Sequence, residues 1–166
     1  MMLYGVTGWK NAGKTGLMER LITEMTGRGL TVSTVKHAHH SFDVDQPGRD
    51  SYRHRMAGAG EVLLVSGARI ALMQELRGAP EPPLADLLER LSPVDLVLIE
   101  GYKRDRHPKI EAWRTSAGNP LIAPGDPTIR AIAADCAADL GPVDRPVIEL
   151  DNTSAIADFI LKDLGL

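Results

Sequence analysis

The sequence predicts an α/β fold in which a mostly parallel sheet is flanked by helices and carries a hairpin extension. Three observations predict it. Apolar runs of strand length alternate with segments of helical periodicity, the first run leads through a glycine-containing loop into a helix, and two short apolar segments surround Gly67. The 166 residues contain no internal repeat and no dividing linker, so we expect one domain over residues 1–166.

The first elements are a strand, a helix and a second strand. Residues 3–7 form a short apolar run that ends at a glycine, which is typical of a buried strand. Residues 16–28 place apolar side chains at helical spacing, and Gly29 supplies the stop. Residues 30–35 are rich in β-branched side chains, so the three segments predict one βαβ unit with a right-handed crossover.

The middle of the chain predicts a polar loop, a helix and a hairpin. Residues 37–48 are polar and contain Pro47, which indicates an exposed loop, and residues 49–57 follow as a helix. Segments 61–66 and 69–75 have the pattern of two paired strands. A turn and a helix complete this part, over 78–83 and 84–91.

The last third returns to the parallel sheet. The continuous apolar run over 94–99 is typical of a strand covered on both faces. Further strands are predicted over 110–113, 121–123, 129–134 and 147–150, followed by an amphipathic helix over 153–164.

Composition excludes several classes of protein. The net charge is −3 and the isoelectric point is near 5.9, which argues against a nucleic-acid partner. No apolar run approaches the length of a membrane span and no signal pattern opens the chain, so we expect a cytoplasmic protein without a membrane partner. The one cysteine, Cys136, excludes an internal disulfide.

A phosphate loop joins the first strand to the first helix. Residues 8–15 read GWKNAGKT and fit the pattern G-x-x-x-x-G-K-[ST], which indicates a phosphate-loop NTPase fold. Backbone N–H groups and the helix N-terminus would surround the phosphates. Lys14 would reach the β- and γ-phosphates as a catalytic group, and the Thr15 hydroxyl would bind Mg²⁺. The predicted nucleotide contacts in the loop are Gly8, Asn11, Ala12, Gly13, Lys14, Thr15 and Gly16.

A second metal-binding group is predicted at Glu100, directly after the apolar strand. Ligands of open α/β sheets bind at the carboxyl ends of the strands, where a carboxylate can hold Mg²⁺ through water. Asp95 stands at the opposite end of that strand and suits this role less well. A strand-end glutamate that faces solvent is the alternative.

The loop after the second strand carries His37, His39 and His40, followed by Asp43 and Asp45. Three histidines could ligate nickel or zinc, in which case the protein would be a metallochaperone GTPase. Protonated histidines could instead bind phosphate. A loop that folds over the nucleotide is the reading we favour. In that position either aspartate would order the water shell of the metal or the attacking water.

Positive charge collects in two segments. Residues 48–55 contain three arginines, and residues 101–109 carry four basic side chains, Lys109 among them, against one aspartate. Such clusters suit an anionic ligand, although a solvated basic surface is the alternative. They also allow a small-molecule kinase, in which Arg49, Arg53 and Lys103 hold the acceptor and residues 118–128 form a lid.

An ordered set of motifs resembles one family. After the phosphate loop come KHxHH at 36–40, FDxD at 42–45, PGRDS at 47–51, RH at 53–54, AGA at 57–59, IEGYK at 99–103 and PKIE at 108–111. The set spans residues 5–111 and resembles the MobB family, the adapter proteins of molybdopterin-guanine dinucleotide biosynthesis. The phosphate loop alone is common to many families, whereas the ordered set is far more specific.

The resemblance implies a homodimer that binds GTP with Mg²⁺, hydrolyses it weakly and assists a MobA-type guanylyltransferase. Molybdopterin or its guanine dinucleotide is implied as bound cargo. The same likeness assigns contacts with phosphates or the pterin to residues 36–50 and to the segment around Lys103. The residues involved are Lys36, His37, Arg49, Gly101 and Lys103.

Two features depart from this pattern. Gly16 stands where the family commonly has a second Ser or Thr, so a hydroxyl contact with the α-phosphate is missing. No N-K-x-D guanine motif is present. Asp135, just beyond the predicted strand 129–134, is where a carboxylate could accept the guanine N1 and N2 protons.

Overall fold

The computed structural model describes residues 1–38 and 42–166. The chain divides into two compact units, Met1–His37 with Glu89–Leu166 and Ala38–Leu88. The strands are β1 (Met2–Thr7), β2 (Val32–Lys36), β3 (Glu61–Val65), β4 (Ile70–Gln74), β5 (Leu96–Glu100), β6 (Lys109–Trp113), β7 (Ile129–Ala134) and β8 (Val147–Glu149). The α-helices are α1 (Lys14–Gly27), α2 (Asp50–Met56), α3 (Leu84–Leu88) and α4 (Thr153–Leu164).

The first unit is built on a six-stranded parallel sheet in the order β2-β5-β1-β6-β7-β8. After β1 the chain adds β2 and β5 on one side of β1, and then β6, β7 and β8 on the other side. Ligands of open parallel sheets bind at the carboxyl ends of the strands beside such a reversal. The predicted α/β class, with flanking helices and a hairpin, is confirmed.

One core lies between the sheet and the helices α1 and α4. Leu17, Leu21 and Met25 recur at four-residue intervals along α1, and all three are buried against the sheet. Asn152 begins α4 by accepting a hydrogen bond from the N–H of Ala155 at 3.1 Å. The central strands β5 and β6 are buried along their whole length, as expected for parallel strands with both faces covered.

A smaller apolar cluster includes Trp113, Ile129 and Ile132. The segment after β6 supplies part of its cover, including a one-turn 3-10 helix at Ala123–Gly125. The strand predicted over residues 121–123 is therefore wrong. The Glu111 carboxylate accepts the N–H groups of Ile122 and Ala123, so these amides are not available to a neighbouring strand.

The second unit contains the predicted hairpin. Strands β3 and β4 are antiparallel, with Val65 opposite Ile70 beside the turn. Four large apolar side chains on these strands are more than half exposed: Leu63, Val65, Ile70 and Leu72. Across both described stretches of the chain, no helix has the length and apolarity that crossing a bilayer requires.

Candidate nucleotide-binding site

The phosphate loop follows β1 at the carboxyl edge of the parallel sheet. Gly8 has φ +143°, and a Cβ atom there would lie 2.4 Å from the carbonyl oxygen of Ala112 in β6. Gly13 has φ +89° and stands immediately before α1. Both positions require glycine, because side chains disfavour positive φ and the neighbouring atoms leave no room. The two motif glycines thus hold the loop against β6.

Lys14 lies at the start of α1 and points back across the loop. Its Nζ donates a hydrogen bond to the carbonyl oxygen of Trp9 at 2.6 Å. Burial lowers the pKa of Lys14, and the carboxylate of Glu100 opposes that effect. The amine is therefore held by the loop in the region where the motif chemistry expects phosphate.

Thr15 and Glu100, the two residues predicted to bind Mg²⁺, are in contact. The Thr15 hydroxyl donates to Glu100 Oε1 at 3.2 Å, and Lys36 Nζ lies 3.3 Å from Glu100 Oε2. The strand register creates this contact, because β5 places Glu100 directly between Lys36 of β2 and Val6 of β1. Hydroxyl and carboxylate oxygens are the ligands that Mg²⁺ prefers, so the residues present fit such an ion.

Residues after β2 and β5 pack together beside the loop. Gly101 has φ +98°, and a Cβ atom there would lie 2.9 Å from Cβ of His37. The rings of His37 and Tyr102 stack with centroids 4.6 Å apart. The Lys103 ammonium lies 4.3 Å from the centroid of Trp9, a cation–π contact. The structure therefore brings His37, Gly101 and Lys103 to one edge.

Asp135 follows β7 at the same edge of the sheet. Its Oδ1 accepts hydrogen bonds from the N–H and the hydroxyl of Thr115, at 2.9 and 3.3 Å. Its Oδ2 has no hydrogen bond to any residue that the structure describes, and the side chain is exposed. The carboxylate thus lies at this edge with one oxygen already engaged by Thr115.

Asp43 and Asp45 lie in the second unit, around Arg55. The guanidinium is 2.8 Å from Asp43, 3.3 Å from Asp45 and 2.6 Å from Glu75. A backbone hydrogen bond from Asp45 and the contact with Arg55 lower the pKa of Asp43. Both aspartates predicted to order water are thus paired with one cation.

Two other predicted residues of this unit that the structure describes lie on or beside α2. Arg49 stands immediately before α2, and Arg53 pairs with Asp50 at 3.8 Å on its surface. His39 and His40 of the metallochaperone hypothesis lie outside the described residues. Within the described ranges, no group of three or more His, Cys, Asp or Glu side chains could hold a metal ion.

The position of Lys109 corrects the prediction that this residue belongs to a basic surface segment. It is fully buried, donates to the Thr128 hydroxyl at 2.7 Å and lies 3.9 Å from Asp126. The surface charge of residues 101–109 therefore comes from Lys103, Arg104 and Arg106. The physical reason is that Lys109 opens β6, a central strand between β1 and β7, instead of lying in a loop.

Two further charged residues at the site were not predicted. Glu111 is fully buried and accepts hydrogen bonds of 2.8 to 3.1 Å from Ile122 and Ala123. Arg114 follows the same strand and lies beside the phosphate loop. The charge of Glu111 within the apolar run of β6 could have marked this residue in the sequence. No local pattern indicates Arg114.

Comparison with known proteins identifies the family of the chain. The profile of the family described as "MobB: Molybdopterin guanine dinucleotide synthesis protein B" matches residues 3–135. A molybdopterin-guanine dinucleotide biosynthesis adapter protein of Haemophilus influenzae is 37% identical over 161 residues, which is 95% of this chain and 86% of that protein. The adapter protein of Escherichia coli is 36% identical over 163 residues, covering 96% and 91%.

Solved structures agree in fold. A MobB homologue from Bacillus stearothermophilus aligns with a TM-score of 0.70 at 26% identity and covers 99% of both chains. A crystal structure of molybdopterin-guanine biosynthesis protein B aligns with a TM-score of 0.74 at 25% identity, covering 97% of this chain and 99% of that one. The chain belongs to the MobB family, the adapter proteins of molybdopterin-guanine dinucleotide biosynthesis.

Proposed function

We propose that this chain binds GTP with Mg²⁺ at its phosphate loop, hydrolyses it slowly and acts in the cytoplasm as an adapter for a MobA-type guanylyltransferase. One observation carries the nucleotide part of the proposal. The Lys14 amine, the Thr15 hydroxyl and the Glu100 carboxylate converge on one loop at the carboxyl edge of the sheet. These are the three groups that a phosphate loop uses.

Each group has a separate role. Lys14 exchanges the Trp9 carbonyl for phosphate oxygens, so its hydrogen bond is replaced and its charge is neutralised by the ligand. Thr15 and Glu100 would hold Mg²⁺, which would supply positive charge to the phosphates when bound. Lys36 stays beside Glu100 and prevents an excess of negative charge next to the nucleotide.

Slow hydrolysis follows from the state of the carboxylates. A general base must be free to accept a proton from the attacking water. Asp43 and Asp45 are paired with Arg55, and Glu100 contacts both Thr15 and Lys36. Asp43, Asp45 and Glu100 are thus each occupied by a neighbouring group, and none is placed as a free acceptor for the proton of the attacking water. Guanine selection is assigned to the free oxygen of Asp135.

Isothermal titration with GTP, GDP and ATP, with and without Mg²⁺, tests the nucleotide site. We expect Lys14→Ala to weaken GTP binding by roughly 100-fold, because a charged hydrogen-bond donor to the phosphates is lost. Lys10→Ala is the matched control, since Lys10 is an exposed lysine of the same loop. Equal binding by the Lys14 variant and the wild type would refute the assignment.

The adapter role concerns a guanylyltransferase, molybdopterin and a second copy of this chain. The basic side chains Lys103, Arg104 and Arg106 support binding of a phosphorylated pterin. Exposed apolar residues of the hairpin, such as Val65 and Ile70, support self-association through the second unit. Light scattering measures the oligomer. A pull-down with nucleotide in excess asks whether the chain retains a MobA-type transferase or molybdopterin, and retention of neither would contradict the role.

A further inference from the structure

Arg114 is a cation at the phosphate loop that the motif chemistry does not include. It directly follows β6, which is hydrogen-bonded to β1 and ends at the carboxyl edge of the sheet. A Cβ atom on Gly13 would lie 2.9 Å from Arg114 Nε and 3.4 Å from its Cζ. The guanidinium therefore lies against the residue that precedes Lys14.

Among the residues that the structure describes, this guanidinium has no counter-ion. Its Nε is buried without a hydrogen-bond partner, and over residues 1–38 and 42–166 the group forms neither a side-chain hydrogen bond nor an ion pair. Three other arginines of the same unit form ion pairs: Arg20 with Asp151 at 3.5 Å, Arg28 with Asp158 at 2.6 Å, and Arg145 with Asp144 at 3.6 Å. A buried N–H donor without a partner is unfavourable, so the position of this partly exposed guanidinium is explained best by an anionic ligand.

The position of Arg114 along the phosphate loop indicates which phosphates of the nucleotide it contacts. Lys14 reaches the β- and γ-phosphates, whereas the loop backbone surrounds the α- and β-phosphates. Lys103 lies over Trp9, which follows the first motif glycine, and Arg114 lies beside Gly13 at the other end of the motif. A guanidinium can donate two parallel hydrogen bonds to one phosphate.

We propose that Arg114 is a phosphate-binding residue of the nucleotide site that contacts the α- and β-phosphates. This inference rests on the proposed function, because it requires a nucleotide in the loop. It predicts that Arg114 contributes equally to GDP and GTP affinity. It also gives the site a fixed positive charge in place of the hydroxyl contact that Gly16 lacks.

The experiment compares GTP and GDP dissociation constants, with Mg²⁺, for the wild type and three variants. Arg114→Met removes the charge and keeps an unbranched chain beside Leu150, and Arg114→Lys keeps the charge without the fork. Arg130→Met is the matched control, because Arg130 lies near the amino end of the adjacent strand β7 and pairs with Asp163 at 3.9 Å. We expect Arg114→Met to weaken both nucleotides by roughly 10- to 100-fold, Arg114→Lys by less, and Arg130→Met to change neither.

A second readout separates binding from structure. The ligand-free melting temperature of Arg114→Met should not fall, because the charge has no partner without nucleotide, whereas the stabilisation of the variant by GDP should shrink. Wild-type affinity in a folded Arg114→Met, or a loss confined to GTP, would overturn the inference. If Arg114→Met does not fold, Arg114→Gln replaces it under the same criteria. Failure of the wild type to bind any nucleotide would instead overturn the proposed function.

Discussion

Replacing Glu100 with glutamine changes one charge and little else at the phosphate loop. Glutamine keeps the size of the side chain and an oxygen that can accept the Thr15 hydroxyl, which lies 3.2 Å from Oε1. It removes the attraction between Oε2 and Lys36 Nζ at 3.3 Å. At an effective dielectric constant of about 20, that attraction is about 5 kcal/mol. Because the Lys36 side chain is 60% exposed, water offsets most of it and about 1 kcal/mol of stability should be lost.

The effect of Glu100→Gln on GTP affinity should have opposite signs with and without Mg²⁺. With the ion present, loss of the carboxylate that holds its water shell should weaken GTP by roughly 10- to 100-fold. In EDTA, the same loss removes a negative charge next to the phosphates, so binding should strengthen by a few-fold, roughly 1 kcal/mol or less. A purely structural role of Glu100 would move both affinities in the same direction.

Isothermal titration measures the GTP affinity of the wild type and of Glu100→Gln in Mg²⁺ and in EDTA. Glu149→Gln is the control, because Glu149 is an exposed glutamate that also ends a strand of the sheet. The reasoning is refuted if Glu100→Gln keeps the Mg²⁺ dependence of the wild type. It is refuted equally if the control loses that dependence.

Two further predictions concern stability. His107 is buried against Gly5, and burial lowers its pKa to about 4. Between pH 6.5 and 4 the imidazole is therefore protonated in the unfolded chain but neutral in the folded protein. Stability should therefore fall as the pH decreases from about 6.5 to 4, by up to about 1.4 kcal/mol per pH unit. Urea unfolding of His107→Leu should lack this component, and an unchanged pH profile would contradict the assignment. Glu111→Ala leaves the buried amide of Ala123 and the part-buried amide of Ile122 without an acceptor and should cost about 2–4 kcal/mol, with faster hydrogen exchange at both residues. Glu111→Gln should restore part of that loss, and slow exchange at both amides in the alanine variant would argue against it.

The elements that the sequence predicted well are those whose pattern is local. The hairpin strands and the amphipathic α4 coincide with the predicted segments, because side-chain alternation and helical spacing are read from neighbouring residues. The helix predicted over residues 84–91 ends early, at Leu88. Helix ends depend on local caps and on packing, which the apolar pattern indicates less well.

The errors have a common cause in long-range contacts. Residues 121–123 are apolar enough for a strand, but the buried Glu111, ten or more positions earlier, takes their amide hydrogens. Lys109 reads as part of a basic surface, but its position at the start of a central strand buries it. Neither outcome is encoded in the few residues around the position.

At the candidate site, the groups that could bind phosphate and Mg²⁺ were recognisable from the sequence: a phosphate loop with Lys14 and Thr15, and a carboxylate at the end of an apolar strand. Periodicity and motif spacing involve neighbouring residues, so they can be recognised without knowledge of the fold. Which groups meet could be learned from the tertiary structure alone. The strand order places Glu100 between Lys36 and the strand that leads into the loop, and brings Arg114 to Gly13 from about a hundred residues away. Strand order arises from packing of the whole sheet, so no local pattern could have supplied these pairs.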